Sequence, residues 1–169
     1  MDVRYINPFI HSVCHIFETM CRTKVTVGKP LIKQGNDPAT DVSGIIGFSG
    51  DAAGSVVLHF AEPIALTLAS RFAGTPMTSE APDFADAIGE LANMVAGNAK
   101  AQFEGLNIAI SLPNVILGAH HRVAVPSNAP RLLIPCETEA GLFHVEVGMV
   151  PTKDCTIRTE QQTTTGVFS

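Results

Sequence analysis

Apolar positions along the chain fall into two periods, one of helices and one of strands. Ile6, Ile10, Val13, Phe17 and Met20 recur at helical spacing. They predict a first helix that opens at Asn7-Pro8, with Asn7 as N-cap and Pro8 in the first helical position, and that ends near Arg22. Its opposite face carries His11, His15, Glu18 and Arg22. Residues 24–28 open a strand, and 35–41 form a loop. Two β-rich segments, 42–49 and 55–60, flank a turn built on Gly50, Asp51 and Gly54, which reads as a hairpin. Glu62-Pro63 opens a short helix lined by Ile64, Leu68 and Phe72 and closed by Gly74. A longer helix follows, beginning within 79–83 with Ser79 as the expected cap and running to about Glu104, where Gly105 stops it. After it come a short strand ending near Leu112, a strand around 115–118, and a loop with Pro126 and Pro130. Leu132–Cys136 and Phe143–Met149 make a second hairpin. In its last strand Phe143, Val145, Val147 and Met149 alternate with His144, Glu146 and Gly148, the pattern of a sheet with one buried face. Strands and helices come in runs. The expected fold is α+β: a mostly antiparallel sheet with helices packed on one side.

The longer helix holds the most informative face. At 100° per residue, Phe84, Ile88, Leu91, Val95, Ala99 and Gln102 share one side, and only Gln102 is out of character there. Asp86, Glu90, Asn93, Gly97, Lys100, Ala101 and Glu104 share the other. Glu90 and Asn93 lie one turn apart and reach the same point in space. An outward Glu and Asn ordinarily mean a solvated face. Gly97 argues otherwise, because a mid-helix glycine costs about 1 kcal/mol against alanine. With Met94 and Ala101 it makes a flat, small-residue surround for two polar groups, a surface that lets another protein approach closely.

Composition narrows the function classes. The 169 residues are 46% hydrophobic, enough for the core of one domain, expected over residues 1–151 with a polar, Thr-rich tail at 152–169. A net charge of −5 without any basic run gives nucleic acid binding no electrostatic support. No apolar run has the length of a membrane span, and the N-terminus lacks the pattern of a secretory signal, so a cytoplasmic protein is expected. Cys14 and Cys21 would stand about 10 Å apart on one helix, too far for a disulfide. No CxxC pair occurs among the four cysteines, which read as free thiols. His11 and His15 are spaced i, i+4 but have no third ligand in view, and the adjacent His120 and His121 would point to opposite strand faces, so no metal is expected. Asn98 flanks the polar stripe and is expected to meet solvent.

Four segments, DVRYINPFI followed by FETM, FSGDAAGSVVLHF, GELANMVAGNAK and ISLP, together resemble the CheX-type proteins of the CheC/CheX chemotaxis phosphatase family. The resemblance covers roughly residues 1–150. It implies the CheC-like fold with a long central site helix, and removal of phosphate from a CheY-like response regulator. The family's site motif is Asp or Ser, three residues, Glu, two residues, Asn, and a Pro about 22 residues later. Here Asp86, Glu90 and Asn93 are in register, whereas 19 residues separate Asn93 from Pro113. The resemblance assigns Glu90 and Asn93 as catalytic residues, with Asn93 positioning water and Glu90 pairing with a partner lysine. Asp86, Met94, Gly97 and Pro113 are expected to touch the partner. No cofactor of the chain's own is implied; Mg²⁺ would come with the phosphorylated partner. A homodimer is also implied, with strand 143–149 as a candidate edge. The alternative is a non-catalytic module that binds a receiver domain, kept open by the shortened spacing to Pro113; an assembly protein that neither binds nor turns over a receiver is a third reading.

Overall fold

In the computed structural model, which describes residues 2–35, 39–125 and 130–152, three helices cover one face of an eight-stranded antiparallel sheet. A short 3-10 turn at Val3–Tyr5 leads into α1 (Asn7–Cys21). Two short strands, β1 (Thr26–Val27) and β2 (Leu31–Ile32), precede the hairpin β3 (Thr40–Gly50) and β4 (Ala52–Phe60). Then come α2 (Glu62–Ala73), α3 (Pro82–Ala101), β5 (Ile108–Ile110) and β6 (Asn114–His121). β7 (Leu132–Thr138) and β8 (Gly141–Pro151) close the fold. The spatial order is β1-β7-β8-β4-β3-β5, with β2 also on β7 and β6 also on β3.

Helix ends follow local backbone chemistry. Asn7 is the first helical residue of α1 rather than its cap, because the preceding 3-10 turn already places Ile6 in helical geometry. α3 begins at Pro82, with Ala81 in the cap position and no side-chain cap. Proline lacks the N–H a cap would satisfy and holds φ near the helical value, so Pro82 rather than Ser79 sets the start. The helix ends at Ala101, three residues before Glu104, where the Gln102 N–H turns back to the Ala99 carbonyl and the Phe103 N–H to that of Lys100. Arg22 and Gly74 close α1 and α2 in left-handed geometry.

The core lies between the helices and the sheet. Phe9, Phe17, Phe60, Phe84 and Phe143 are all but fully buried there, and the Phe17 ring stacks on Phe143 at 5.0 Å. Phe143, Val145, Val147 and Met149 of β8 point into it, as their alternation predicts. The other side of β8 departs from expectation. Glu146 is fully buried and Gly148 is buried too, so this stretch of the second sheet face is covered rather than solvated. Nor is β8 an edge: it pairs with β4 on one side and β7 on the other. The outer strands are β1 and β2 at one end and β5 and β6 at the other. Thr152, just past β8, is tied to the Asp51 carbonyl through its N–H at 2.9 Å. The rest of the Thr-rich tail lies outside the described residues.

Candidate functional site

α3 rests on the sheet through small and apolar residues. Ile88, Leu91, Ala92, Val95 and Ala99 are fully buried. Across the helix, Asp86 and Glu90 are exposed, and Asn93, Met94 and Gly97 are half-buried. Among the described residues, the side chains of Asp86, Glu90 and Asn93 have no hydrogen-bond or ion-pair partner. The polar stripe is therefore present as the helical spacing predicts, and its groups are not engaged by any other described residue.

Two glycines shape this face in different ways. Gly89 is buried beneath the turn between β5 and β6. A Cβ there would stand 3.3 Å from Val115 Cγ2 and 3.5 Å from Pro113 Cγ. The close approach brings Pro113 alongside the residue just before Glu90, despite the short interval from Asn93. At Gly97 a Cβ would meet nothing within 4 Å. No packing among the described residues calls for glycine at that position.

Three neighbours differ from expectation. Met94 is half-buried and packs partly against the core, so it is less of an outward group than its helical position implies. Asn98 does not simply meet solvent. Its Oδ1 accepts from Ser12 Oγ at 2.8 Å and from Gln102 Nε2 at 3.1 Å. Gln102 also donates to Ser12 Oγ at 3.1 Å, so this cluster ties α3 to α1 and accounts for Gln102 on the inner side. Leu112, next to Pro113, is 86% exposed and was not singled out from the sequence. A leucine before proline in a turn carries no signal of its own; the seating of Pro113 against Gly89 is what brings this turn to α3.

Among the described residues no metal centre takes shape. His11 and His15 lie exposed on α1, and no group of three or more potential ligands occurs among the described residues. His121 Nε2 lies 2.8 Å from Ser43 Oγ, whereas His120 is exposed. Cys14, Cys21 and Cys136 are free thiols. Burial pushes Cys21 up to about 11 and Cys136 up to about 12, so neither is a ready nucleophile. No helix among the described residues is long and apolar enough to cross a membrane.

A second polar cluster, not anticipated from the sequence, sits on the opposite sheet face. Glu146 Oε2 accepts from Lys33 Nζ and His59 Nε2, each at 2.8 Å, and Oε1 accepts from Arg131 Nε. Burial alone would push this carboxyl up, but the hydrogen bonds from His59, Lys33 and Arg131 outweigh it and bring it to about 2. The guanidinium lies over Gly148, where a Cβ would stand 2.5 Å from Arg131 Nη1.

The model of the chemotaxis phosphatase CheX family matches residues 42–137, more than half of the chain and including all of α3. The chain belongs to the CheX family. A curated relative, the CheY-P phosphatase CheX of Thermotoga maritima, is 30% identical over 121 residues, which are 70% of this chain and 78% of that protein. Among solved structures, a CheC-like superfamily protein from Shewanella sp. PV-4 superposes with a TM-score of 0.82 at 31% identity, covering 89% of this chain and 99% of the other. A chemotaxis protein CheX from Desulfovibrio desulfuricans gives 0.81 at 28% identity, covering 86% and 99%. The CheC-like fold expected from the resemblance is thus the observed one, and in this CheX-family chain α3 carries the Glu90 and Asn93 pair on its outer face.

Proposed function

We propose that this chain hydrolyses the aspartyl phosphate of a CheY-like response regulator, with Asn93 and Glu90 on α3 as the groups that act. The observation that carries the reading is the pair itself: two polar side chains one turn apart, outward, without partners among the described residues, in a protein 30% identical to a CheY-P phosphatase. Hydrolysis forms a bond from water oxygen to phosphorus and breaks the bond from phosphorus to the aspartyl oxygen. The products are inorganic phosphate and the free carboxylate, with the proton of the water passing to phosphate or solvent. Such a transfer requires positioning and charge stabilisation more than strong base chemistry. The Asn93 amide oxygen accepts a hydrogen bond from the water and brings no charge against the phosphoryl group. A carboxylate beside a phosphoryl group needs a cation, so Glu90 pairs with the partner's lysine, while Mg²⁺ arrives with the phosphorylated partner. A hundredfold acceleration over spontaneous loss needs only about 2.7 kcal/mol, within reach of one held water and one ion pair.

Asp86, Gly97, Pro113 and the exposed side of Met94 form the contact surface around that pair. The reaction centre is then completed only when the receiver lies against α3, which explains why the polar stripe is an open face rather than a pocket. This reading places the protein in the cytoplasm with its regulator. The homodimer implied by the family has two sheet ends available, and sedimentation at micromolar concentration measures it.

The test uses a receiver domain labelled with ³²P on its aspartate. Asn93→Ala is expected to slow phosphate release at least a hundredfold while receiver affinity stays within about threefold. Full activity in that variant would overturn the catalytic assignment. Receiver binding by the unaltered chain without any acceleration of phosphate release would establish the binding-module reading instead.

A further inference from the structure

The Glu146 cluster forms one wall of a cavity of about 610 Å³ on the sheet face away from α3. That volume is in the range of sites that enclose a small organic molecule. Its surroundings are mixed. Val123, Pro130, Leu133 and Leu142 supply apolar surface, and Leu142 is about half exposed. Lys33, Arg122 and Arg131 supply three cations against the single carboxylate of Glu146. In a chain whose net charge is −5, this is a local reversal of sign.

The carboxylate is already fully used. Both of its oxygens accept from the surrounding cations and His59, so it does not balance a second or third positive group. Arg131 meanwhile keeps Nη2 buried and, among the described residues, without a hydrogen-bond partner, in a side chain nine-tenths buried. Buried guanidinium donors are ordinarily satisfied, so this one leaves part of the Arg131 charge uncompensated beside the cavity. These cations share the cavity with the apolar side chains of Val123, Pro130, Leu133 and Leu142 and with the polar groups of Gln34, Thr40 and His144. That arrangement suits neither a neutral hydrocarbon nor a bare inorganic anion. The first leaves the cations unmatched, and the second leaves the apolar wall wet.

We infer that this cavity binds a small organic monocarboxylate, with its carboxylate toward Arg131, Lys33 and Arg122 and its hydrocarbon chain along Val123, Leu133 and Leu142. The site is on the far side of the sheet from the proposed receiver surface and does not depend on it. Carboxylates match the planar fork of arginine, and the guanidinium carries less hydration to strip away than an ammonium.

Sodium octanoate is the probe, titrated calorimetrically into the full chain, with 1-octanol as the uncharged control of equal chain length. One-to-one binding of octanoate with a submillimolar dissociation constant is expected, and at least tenfold weaker binding of octanol. Leu142→Trp, which fills the cavity from a half-exposed position, is expected to weaken octanoate at least tenfold while the thermal midpoint stays within a few degrees. Absence of octanoate binding at millimolar concentration would overturn the inference. So would equal affinity for octanol, which would mark a purely apolar site, or unchanged octanoate affinity in Leu142→Trp, which would place the ligand elsewhere.

Discussion

The two faces of the molecule treat their polar groups in opposite ways. On the second sheet face, Glu146 is fully buried and both its oxygens are engaged by Lys33, His59 and Arg131. On α3, Asp86, Glu90 and Asn93 face outward with no partner among the described residues. A buried carboxylate whose pairing is complete contributes to the structure of the chain and offers its oxygens to no other molecule. Unpartnered groups on a flat, small-residue helix face are available to a molecule from outside. The contrast predicts that changes at Glu146 are read in folding and changes on α3 in activity.

The largest expected effect tests the first half. Glu146→Ala leaves Lys33 and Arg131 beside each other with their common counter-charge gone. Removing one partner of a buried ionic cluster typically costs about 3–5 kcal/mol, so chemical denaturation should show a loss of that order. A loss below about 1 kcal/mol would mean that the cluster is solvated in practice. The same group sets a pH window. Its carboxyl falls from an ordinary 4.5 to about 2 in the folded chain, so the unfolded chain takes up the proton first as pH drops. The stabilisation is complete above about 4.5 and is lost progressively as pH falls toward 2. Glu146→Gln should flatten that part of the stability profile, measured by urea unfolding at successive pH values.

On α3 the ranking inverts. Asn93→Ala should leave unfolding free energy within about 0.5 kcal/mol, since no bond among the described residues is lost. Its hundredfold slowing of phosphate release is then a loss of about 2.7 kcal/mol felt only in the transition state. Glu90→Lys sets like charge against the partner's lysine. About a tenfold weaker receiver affinity is expected, equivalent to about 1.4 kcal/mol, with the loss shrinking as salt is raised. Salt-independent weakening would point to a steric cause instead.

The contrast between the faces also explains what was legible in the sequence. α3 announces itself because burial of one face at 3.6-residue spacing is a local property. Phe84, Ile88, Leu91, Val95 and Ala99 are all inside as their angles predict. The α+β class and both hairpins follow from equally local alternation. What could not be read depends on contacts between distant segments. Glu146 alternates with Val145 and Val147 as a solvated residue would, and only Lys33, 113 positions away, and Arg131 reveal that its face is covered. The central position of β8 likewise depends on β4, whose Val56 pairs with Val147 across most of the chain's length. Asn98 flanks the stripe and reads as solvated, because its partner Ser12 lies 86 positions away on another helix. Ser79 misled for a local reason: capping preference yields to the backbone restriction of Pro82.

The smallest effect sharpens the comparison most, because its two readouts should move in opposite directions. Gly97 lies inside α3, and a Cβ there meets nothing within 4 Å. Alanine therefore fits without strain and spares the unfolded chain's excess freedom, so Gly97→Ala should stabilise the fold by about 0.4–1 kcal/mol. If glycine is there to let a receiver approach, the added methyl should also weaken receiver affinity about three- to fivefold, close to 1 kcal/mol in the other sense. Denaturation and a binding titration on one sample of this variant measure both. Greater stability with undiminished affinity would show that the helix face near residue 97 stands clear of the partner, and would confine the contact to the segment around Glu90, Asn93 and Pro113.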